Sequence, residues 1–327
     1  MKKKIFVCTL LIMFTFVLLS SASLAKTITL KFGHAGPLKY HPNHIAATKF
    51  KELLEERSDG RIEVAIFPQG QLGGERELVE SLIMGTVDIT IACNGPLANW
   101  VSEFAVFDMP FLFEDLDHAY RVVDGEIGEE WNKKLLEQGM KCMGYGANGM
   151  ADFTNNVKPI RKPEDMKGLK FRVMETKIWL TTMNTLGAIA IPLPFTELYT
   201  ALEQGVIDGQ TNPPLAARSL KLYEVQDYIS ITNHSVIMSA YLMNPKKFAS
   251  FSAEDQKMIE DVFREAILYQ REELVKQDET DLKSLKDNGM QIITDIDREA
   301  FKEATKNIPE LMKNEIPLEL VERIKNY

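Results

Sequence analysis

Arg172 is the residue of this 327-residue sequence whose type and position most clearly suggest ligand chemistry. It lies in 168–174, a predicted strand in which Lys170, Arg172 and Met174 share one face. A planar guanidinium suits two parallel hydrogen bonds to one carboxylate. The residues leave two interpretations open at this point: Arg172 captures the carboxylate of a ligand, or it forms a salt bridge with a neighbouring Asp or Glu.

Two loops that follow predicted strands carry an asparagine in a similar setting. In 194–214 a helix and a short strand lead to Asn212, which is followed by two prolines. The prolines end the strand and leave Asn212 at its carboxyl end, where open α/β sheets bind ligands. Earlier in the chain, the strand predicted over 87–92 is followed in the same way by Asn94. The alternative for both stretches is an ordinary turn between a strand and a helix.

Motifs of catalysis are absent from the sequence, which lacks Gly-x-Ser-x-Gly, His-Glu-x-x-His and Gly-x-x-x-x-Gly-Lys. His41 and His44 are three residues apart and could share a helix face as metal ligands. However, Pro42 lies between them, and no Cys or carboxylate completes a ligand set. We therefore expect no catalytic residue, no metal ion and no cofactor. A secreted α/β hydrolase or isomerase acting on an organic acid is the alternative that would require catalytic residues.

The elements that must position these residues alternate between strands and helices. Strands are predicted over 27–33, 61–67, 87–92, 140–146, 169–174, 188–193, 206–211, 236–243 and 291–294, and helices over 42–57, 75–84, 116–138 with a break near Gly125, 177–186 and 196–204. This alternation predicts an α/β fold with mainly parallel sheets. A helix predicted over 252–285 begins with a capping pattern at Ser252 and would approach 50 Å in length. It is therefore expected to lie across two domains.

The first 25 residues predict a secretory signal peptide. Three lysines precede an apolar run over 5–19, and small residues lead to Ala25. A membrane anchor is the alternative. The sequence has 38 basic and 47 acidic residues, which gives a formal net charge of -9, and removal of the three leader lysines would change this to -12. A negative net charge argues against a nucleic-acid partner. In an oxidising compartment Cys93 and Cys142 could form a disulfide, and burial as free thiols is the alternative.

Several motifs resemble the solute-binding proteins of tripartite ATP-independent periplasmic (TRAP) transporters, of the dicarboxylate-binding type. The likeness extends from about residue 28 to about residue 300. It is carried by FGHAGP (32–37), FPQGQLGGERELVE (67–80), FDMPFLF (107–113), PEDMKGLKFRVME (163–175), PLPFTELYTALEQGVIDGQTNPP (192–214) and His234 after a strand.

The resemblance implies a clamshell of two α/β domains that closes over one small organic acid. Strands cross between the domains, and a long helix spans both. The expected division is a first domain of 26–148 plus about 236–288, a second of 149–235 plus about 289–315, and a C-terminal tail of 316–327. The resemblance further implies a periplasmic monomer without enzymatic activity that delivers its ligand to a TRAP permease. A sensing subunit for a receptor, or the binding protein of an ATP-driven transporter, are alternatives.

The resemblance also assigns residues to the site. Arg172 matches the family arginine that grips the ligand carboxylate, and Asn212 matches an asparagine that contacts the same group. Phe195 matches an aromatic that lines the pocket, and Glu75 lies where relatives reach the far end of the ligand. Four weaker candidates complete the expected binding residues: His34, Asn94, Met174 and Trp179. Trp179, like Trp100, could instead belong to the hydrophobic core.

One segment departs from the family pattern. Many relatives carry a second arginine in a pattern like Gly-x-Arg-x-x-Thr, where this sequence has Ala151 followed by Asp152. A dicarboxylate ligand would have one arginine fewer to pair with at this position and would face the Asp152 carboxylate. We therefore expect a monocarboxylate with hydroxyl or amino groups (a sugar acid, hydroxy acid or amino acid), with Asp152 accepting a hydrogen bond or pairing with an ammonium. The alternative is that Asp152 points to solvent.

Overall fold

The computed structural model describes residues 27–327, so the leader predicted over 1–25 lies outside the described residues. The described chain forms one sheet of nine strands. The strands are β1 (Ile28–Gly33), β2 (Ile62–Phe67), β3 (Ile89–Cys93), β4 (Lys141–Asn155), β5 (Lys170–Val173), β6 (Ile189–Pro192), β7 (Gly209–Asn212), β8 (Tyr228–Met243) and β9 (Gln291–Ile293).

Helices cover the sheet and connect its strands. They are α1 (Pro42–Arg57), α2 (Glu75–Met84), α3 (Asn94–Leu97), α4 (Leu116–Asp124), α5 (Glu126–Glu137), α6 (Lys177–Thr185), α7 (Leu198–Glu203), α8 (Pro214–Ser219), α9 (Pro245–Ala249), α10 (Ala253–Asp287), α11 (Arg298–Thr305), α12 (Ile308–Leu311) and α13 (Leu318–Lys325). Short 3₁₀ turns occupy Ser102–Asp108, Pro163–Met166, Phe195–Glu197 and Leu222–Glu224. No helix within residues 27–327 combines the length and apolar character needed to cross a membrane.

The sheet consists of two parallel halves joined by two long strands. In the first half β1 pairs with β2 and β3, and in the second half β5 pairs with β6 and β7, all in parallel. Between the halves, β4 and β8 pair antiparallel to each other, with β3 beside β8 and β7 beside β4. The predicted two-domain α/β fold with crossing strands is confirmed. The expectation of mainly parallel pairing holds within each half but not for these crossing strands.

The crossing strand β4 bends where it passes from one half to the other. Its register against β8 shifts between Ala147 and Gly149 and again between Ala151 and Phe153. Gly149 has a φ of 129°, and a Cβ there would lie 2.9 Å from a side-chain carbon of Pro213. Since bulges bend a strand and increase its twist, β4 bends at these two irregularities, between the halves.

The helix α10 spans both halves, as expected. Its 35 residues correspond to about 52 Å at 1.5 Å per residue. The Ser252 hydroxyl caps it by accepting a hydrogen bond from the Asp255 N–H at 3.1 Å. Near this end the Phe263 ring lies 4.0 Å from that of Phe50 in α1, and near the other end Leu285 is buried in a core cluster of the second half. One rigid element therefore contacts both cores.

The C-terminal residues do not form a loose tail. Phe301 of α11 packs in the core of the second half, and the chain then returns to the first half. There α13 buries Leu320, Val321 and Ile324 in the cluster that contains Trp131. The prediction of a tail over 316–327 is therefore corrected, because these apolar residues recur at helical spacing and cover the first core.

Candidate functional site

A cleft opens between the two halves, at the ends of β1, β3, β5, β6 and β7. It holds about 760 Å³ of empty space, part of which is open to solvent. Both halves line it, with Glu75, Cys93 and Asn148 from the first and Arg172, Phe195 and Asn212 from the second. The carboxyl ends of parallel strands are where open α/β sheets bind ligands. This cleft is therefore the candidate site.

Arg172 is a buried cation that forms no ion pair with another side chain of the described residues. Only 3 % of its surface is exposed, and its Nε donates to the Leu193 carbonyl at 2.8 Å. The ion pairs within 4.0 Å that arginines form among residues 27–327 do not include it. Burial lowers the pKa of Arg172 to about 10, so it stays charged at neutral pH. A buried charge needs a partner, and the cleft is the place where a ligand anion would supply one.

Three other predicted residues line the cleft. Asn212 is the last residue of β7, and its Nδ2 donates to Gln210 Oε1 at 2.6 Å, which orients the amide. The Phe195 ring lies 5.9 Å from the His41 ring of the first half, measured between centroids. Met174 approaches the first half so closely that a Cβ on Gly95 would lie 2.8 Å from its sulfur. The contacts of Phe195 and Met174 join the two halves beside the cleft.

Glu75, the first residue of α2, is held from the end of β3. Its Oε2 accepts the Cys93 N–H at 2.9 Å, and its Oε1 lies 3.3 Å from the Cys93 sulfur, which donates. Burial raises the pKa of the Glu75 carboxyl, and the Arg172 charge opposes that rise. Burial and the nearby Glu75 charge raise the pKa of the Cys93 thiol, so Cys93 is a thiol and not a thiolate.

The charges that line the cleft are mixed, with more acids than bases. The acidic side chains are Glu75, Glu77 and Glu175, and the basic ones are Arg76 and Arg172. Arg76 already pairs with Glu80, with its Nε 3.3 Å from the carboxylate. His41 also lines the cleft, but burial lowers its pKa to about 3 and keeps it neutral at pH 7. Arg172 is therefore the cation that this cleft offers to an anion.

Two predicted residues, His34 and Trp179, are buried outside the cleft. The His34 Nε2 lies 3.2 Å from the His44 Nδ1, so the two imidazoles share a hydrogen bond. Trp179 lies in the core of the second half, in a T-shaped contact with His234, and Trp100 packs against the core of the first half. His34 and Trp179 therefore lie apart from the residues that line the cleft, and their contacts with a ligand stay predictions. The part of the chain that the structure describes contains no group of three or more His, Cys, Asp or Glu arranged to hold a metal ion.

Asp152 also lies away from the cleft. It lines a second cavity, and its Oδ1 accepts the Asn233 N–H at 2.8 Å. Ala151, which stands where relatives carry an arginine, is fully buried in the core of the second half. This carboxylate ties β4 to β8, and its contact with a ligand stays a prediction.

The buried carboxyl of Asp108 is a feature that sequence reasoning missed. Its Oδ1 accepts from Asn94 Nδ2 at 2.6 Å and its Oδ2 from the Thr176 hydroxyl at 2.9 Å, so it joins the two halves. Asn94, predicted as a ligand contact, is thus occupied by Asp108 and by the Met238 N–H. Burial raises the pKa of Asp108 to about 7. The signal in the sequence was the FDMPFLF motif, in which Asp108 is the charged residue among apolar ones.

Cys93 and Cys142 are both free thiols. They lie on β3 and β4, which flank β8 on opposite sides, at positions facing Ser239 and Leu242. Two inter-strand spacings, about 9.5 Å, separate these strands. A disulfide requires Cα atoms within about 7 Å. The order of the strands therefore excludes the disulfide alternative.

The sequence matches the family model of bacterial extracellular solute-binding proteins, family 7 (DctP), over residues 32–315. It is 33% identical to the 2,3-diketo-L-gulonate-binding periplasmic protein YiaO of Escherichia coli over 299 residues, covering 91% of this chain and 90% of that protein.

Solved structures share the fold over nearly the whole chain. One is a sugar acid binding protein from Advenella mimigardefordensis in complex with galactonate, with 35% identity, a TM-score of 0.89 and coverage of 92% of this chain and 97% of that one. Another is a TRAP periplasmic solute-binding protein from Shewanella oneidensis with bound succinate, with 30% identity, a TM-score of 0.88 and coverage of 92% and 99%.

Proposed function

The chain belongs to family 7 of the bacterial extracellular solute-binding proteins, the binding proteins of TRAP transporters, and we propose that its ligand is a hydroxylated monocarboxylate such as a sugar acid. The ligand carboxylate pairs with Arg172 and Asn212, and its hydroxyl groups face the opposite wall around Glu75. The protein then presents the closed complex to the TRAP permease subunits.

The buried and unpaired guanidinium of Arg172 carries this proposal. Within residues 27–327 this charge has no ion-pair partner within 4.0 Å, although only 3 % of the residue is exposed. A ligand carboxylate that enters the cleft forms a strong ion pair with Arg172, because the guanidinium has already lost its hydration when the protein folded. The two terminal nitrogens of the planar fork permit two parallel hydrogen bonds, while the Nε donates to the Leu193 carbonyl.

The acidic side chains that line the cleft favour a ligand with one carboxylate over a ligand with two. Three carboxyl side chains line the cleft, and Arg76 is engaged with Glu80. A second carboxylate would therefore face acids, whereas hydroxyl groups would find acceptors. Among the relatives, the Advenella protein has galactonate bound and the Shewanella protein succinate, so the family accommodates both classes.

Binding requires the halves to separate and close again. Contacts between the halves surround the cleft: His41 meets Phe195, Gly95 meets Met174, and Asp108 meets Thr176. A ligand enters only when these contacts open, and the irregular pairing of β4 with β8 is where the bend occurs. Closure then removes water from the Arg172 pair and strengthens it.

Further expectations rest on the family and the sequence. The leader over residues 1–25 is cleaved on export, and the mature protein acts as a periplasmic monomer without catalytic activity. Its two lobes correspond to 26–148 with about 236–288, and 149–235 with about 289–305, after which the chain returns to the first lobe. Support for this division comes from the packing of Phe301 in the second core and of Ile308 in the first.

Isothermal titration with D-galactonate, D-erythronate and succinate tests the proposal. We expect at least one of the two sugar acids to bind in the micromolar range or tighter, and succinate to bind at least tenfold more weakly. Tight succinate binding without sugar-acid binding would overturn the proposed ligand class. Recovery of each acid unchanged after incubation, measured by mass spectrometry, distinguishes binding from turnover.

A further inference from the structure

Cys93 occupies the centre of the cleft wall, at the carboxyl end of β3. Its amide and its thiol donate to the two different oxygens of Glu75, at 2.9 and 3.3 Å. Only 7 % of Cys93 is exposed, and it faces the same cleft as Arg172. A carboxylate held at both oxygens has one orientation, since rotation about its terminal bond would break one of the two contacts.

The thiol is itself oriented by the neighbouring crossing strands. The Asn148 Nδ2 donates to the Cys93 sulfur at 3.4 Å, and the Ser239 hydroxyl lies 3.6 Å from the same sulfur, while the thiol donates to the Glu75 carboxylate. The Ser239 hydroxyl of β8 lies 3.4 Å from Asn148 Oδ1 and fixes that amide in turn. The chain Ser239, Asn148, Cys93 and Glu75 therefore runs across three adjacent strands into the cleft.

Glu75 is hydrogen-bonded to Cys93 and is not ion-paired with Arg172 among the described residues. Glu75 is the strongest opposite charge acting on Arg172, yet no ion pair within 4.0 Å joins these two described residues. A freely rotating Glu75 would gain by turning to the guanidinium. It would then occupy the cation that a ligand carboxylate needs. The two donors of Cys93 oppose that movement.

We propose that Cys93 is a positioning residue that holds Glu75 as an acceptor for ligand hydroxyl groups and prevents it from neutralising Arg172. The inference rests on the proposed function, because it assumes a hydroxylated carboxylate between Arg172 and Glu75. It adds a specificity role for a thiol that does not itself need to touch the ligand.

The test compares Cys93→Ala with Cys93→Ser by titration with D-galactonate and D-erythronate. Alanine keeps the amide donor but removes the thiol, so affinity should fall about fivefold to tenfold, as for the loss of one hydrogen bond of ordinary strength. Serine retains a donor and should recover part of that loss. Cys142→Ala is the matched control, because that thiol lies 3.6 Å from the Gly144 carbonyl and away from the cleft.

A double-mutant cycle separates positioning from packing. In a Glu75→Ala background the Cys93→Ala change should have no further effect on affinity, since no carboxylate remains to be held. If the loss persists in that background, or if serine is no better than alanine, Cys93 acts through packing and the inference is wrong. Should Cys93→Ala fail to fold, Cys93→Val replaces it, because valine fills the space of the thiol and removes the donor; sugar-acid affinity should fall by the same factor.

The same titrations distinguish failure of the inference from failure of the proposed function. If the wild-type protein binds neither sugar acid, the proposed ligand class is wrong and the inference falls with it. If the wild type binds a sugar acid and Cys93→Ala binds it equally well, the function stands and the positioning role is refuted.

Discussion

Replacement of Arg172 by methionine should separate ligand affinity from protein stability. Methionine keeps much of the aliphatic volume and removes the charge. The ligand carboxylate would then enter a closed cleft without its cation, which corresponds to removing one partner of a buried pair and costs about 3–5 kcal/mol. Affinity for D-galactonate should therefore fall by about 150-fold to 4,000-fold, since every 1.4 kcal/mol is tenfold.

The effect on the empty protein should have the opposite direction or be negligible. Arg172 pays a desolvation cost on folding without an ion pair to offset it, as the lowering of its pKa by burial indicates. Methionine removes that cost, and it also removes the hydrogen bond to the Leu193 carbonyl and the attraction of nearby acids such as Glu75. The midpoint of thermal unfolding without ligand should therefore stay within a few degrees of the wild type or rise.

Arg218→Met is the matched control, because this arginine is also largely buried but does have a partner. Its Nη1 lies 2.7 Å from the Asp281 carboxylate, with side-chain exposures of 13% and 1%. Its loss should lower the free energy of unfolding by about 3 kcal/mol and change affinity little. The reasoning on Arg172 is refuted if Arg172→Met unfolds several degrees earlier without ligand while affinity changes less than tenfold, because Arg172 would then be a structural cation.

Three further predictions address closure, titration and the thiols. Gly95→Ala should weaken D-galactonate binding at least tenfold, because its Cβ would lie 2.8 Å from Met174 and hold the halves apart; unchanged affinity would contradict the close approach. Burial raises the pKa of the Asp108 carboxyl to about 7, so the folded protein favours its protonated form. The stability from this protonated carboxyl is present below about pH 4 and is lost as the pH rises through 7, by up to about 4 kcal/mol. Melting temperatures between pH 4 and 8 should therefore fall more steeply for the wild type than for Asp108→Asn, and parallel curves would exclude this titration. Alkylation of the unreduced, unfolded protein followed by mass spectrometry should modify both Cys93 and Cys142, whereas a protected pair would reveal a disulfide.

The sequence predicted most elements of the fold because local patterns specify them. The helices predicted over 42–57 and 75–84 agree with α1 and α2 at both ends, where a proline and a glycine punctuate the chain. The crossing strands were predicted too short, over 140–146 and 236–243. Their missing parts contain Asn148, Asp152 and Asn233, whose polarity interrupts the alternation expected of a strand. These parts are extended because neighbouring strands supply backbone hydrogen-bond partners, and those neighbours are distant in sequence.

For the binding site, the sequence by itself determined which residue types were available, including the forked cation Arg172 and the strand-terminal amide of Asn212. Such groups are recognisable locally, because their chemistry and their position at a strand end are properties of a short segment. Only the tertiary structure decided which groups are buried, paired or facing the cleft. It brought Cys93 against Glu75 and turned Asp152 and Asn94 to partners in the protein, because burial and pairing depend on segments that meet only when the two halves assemble.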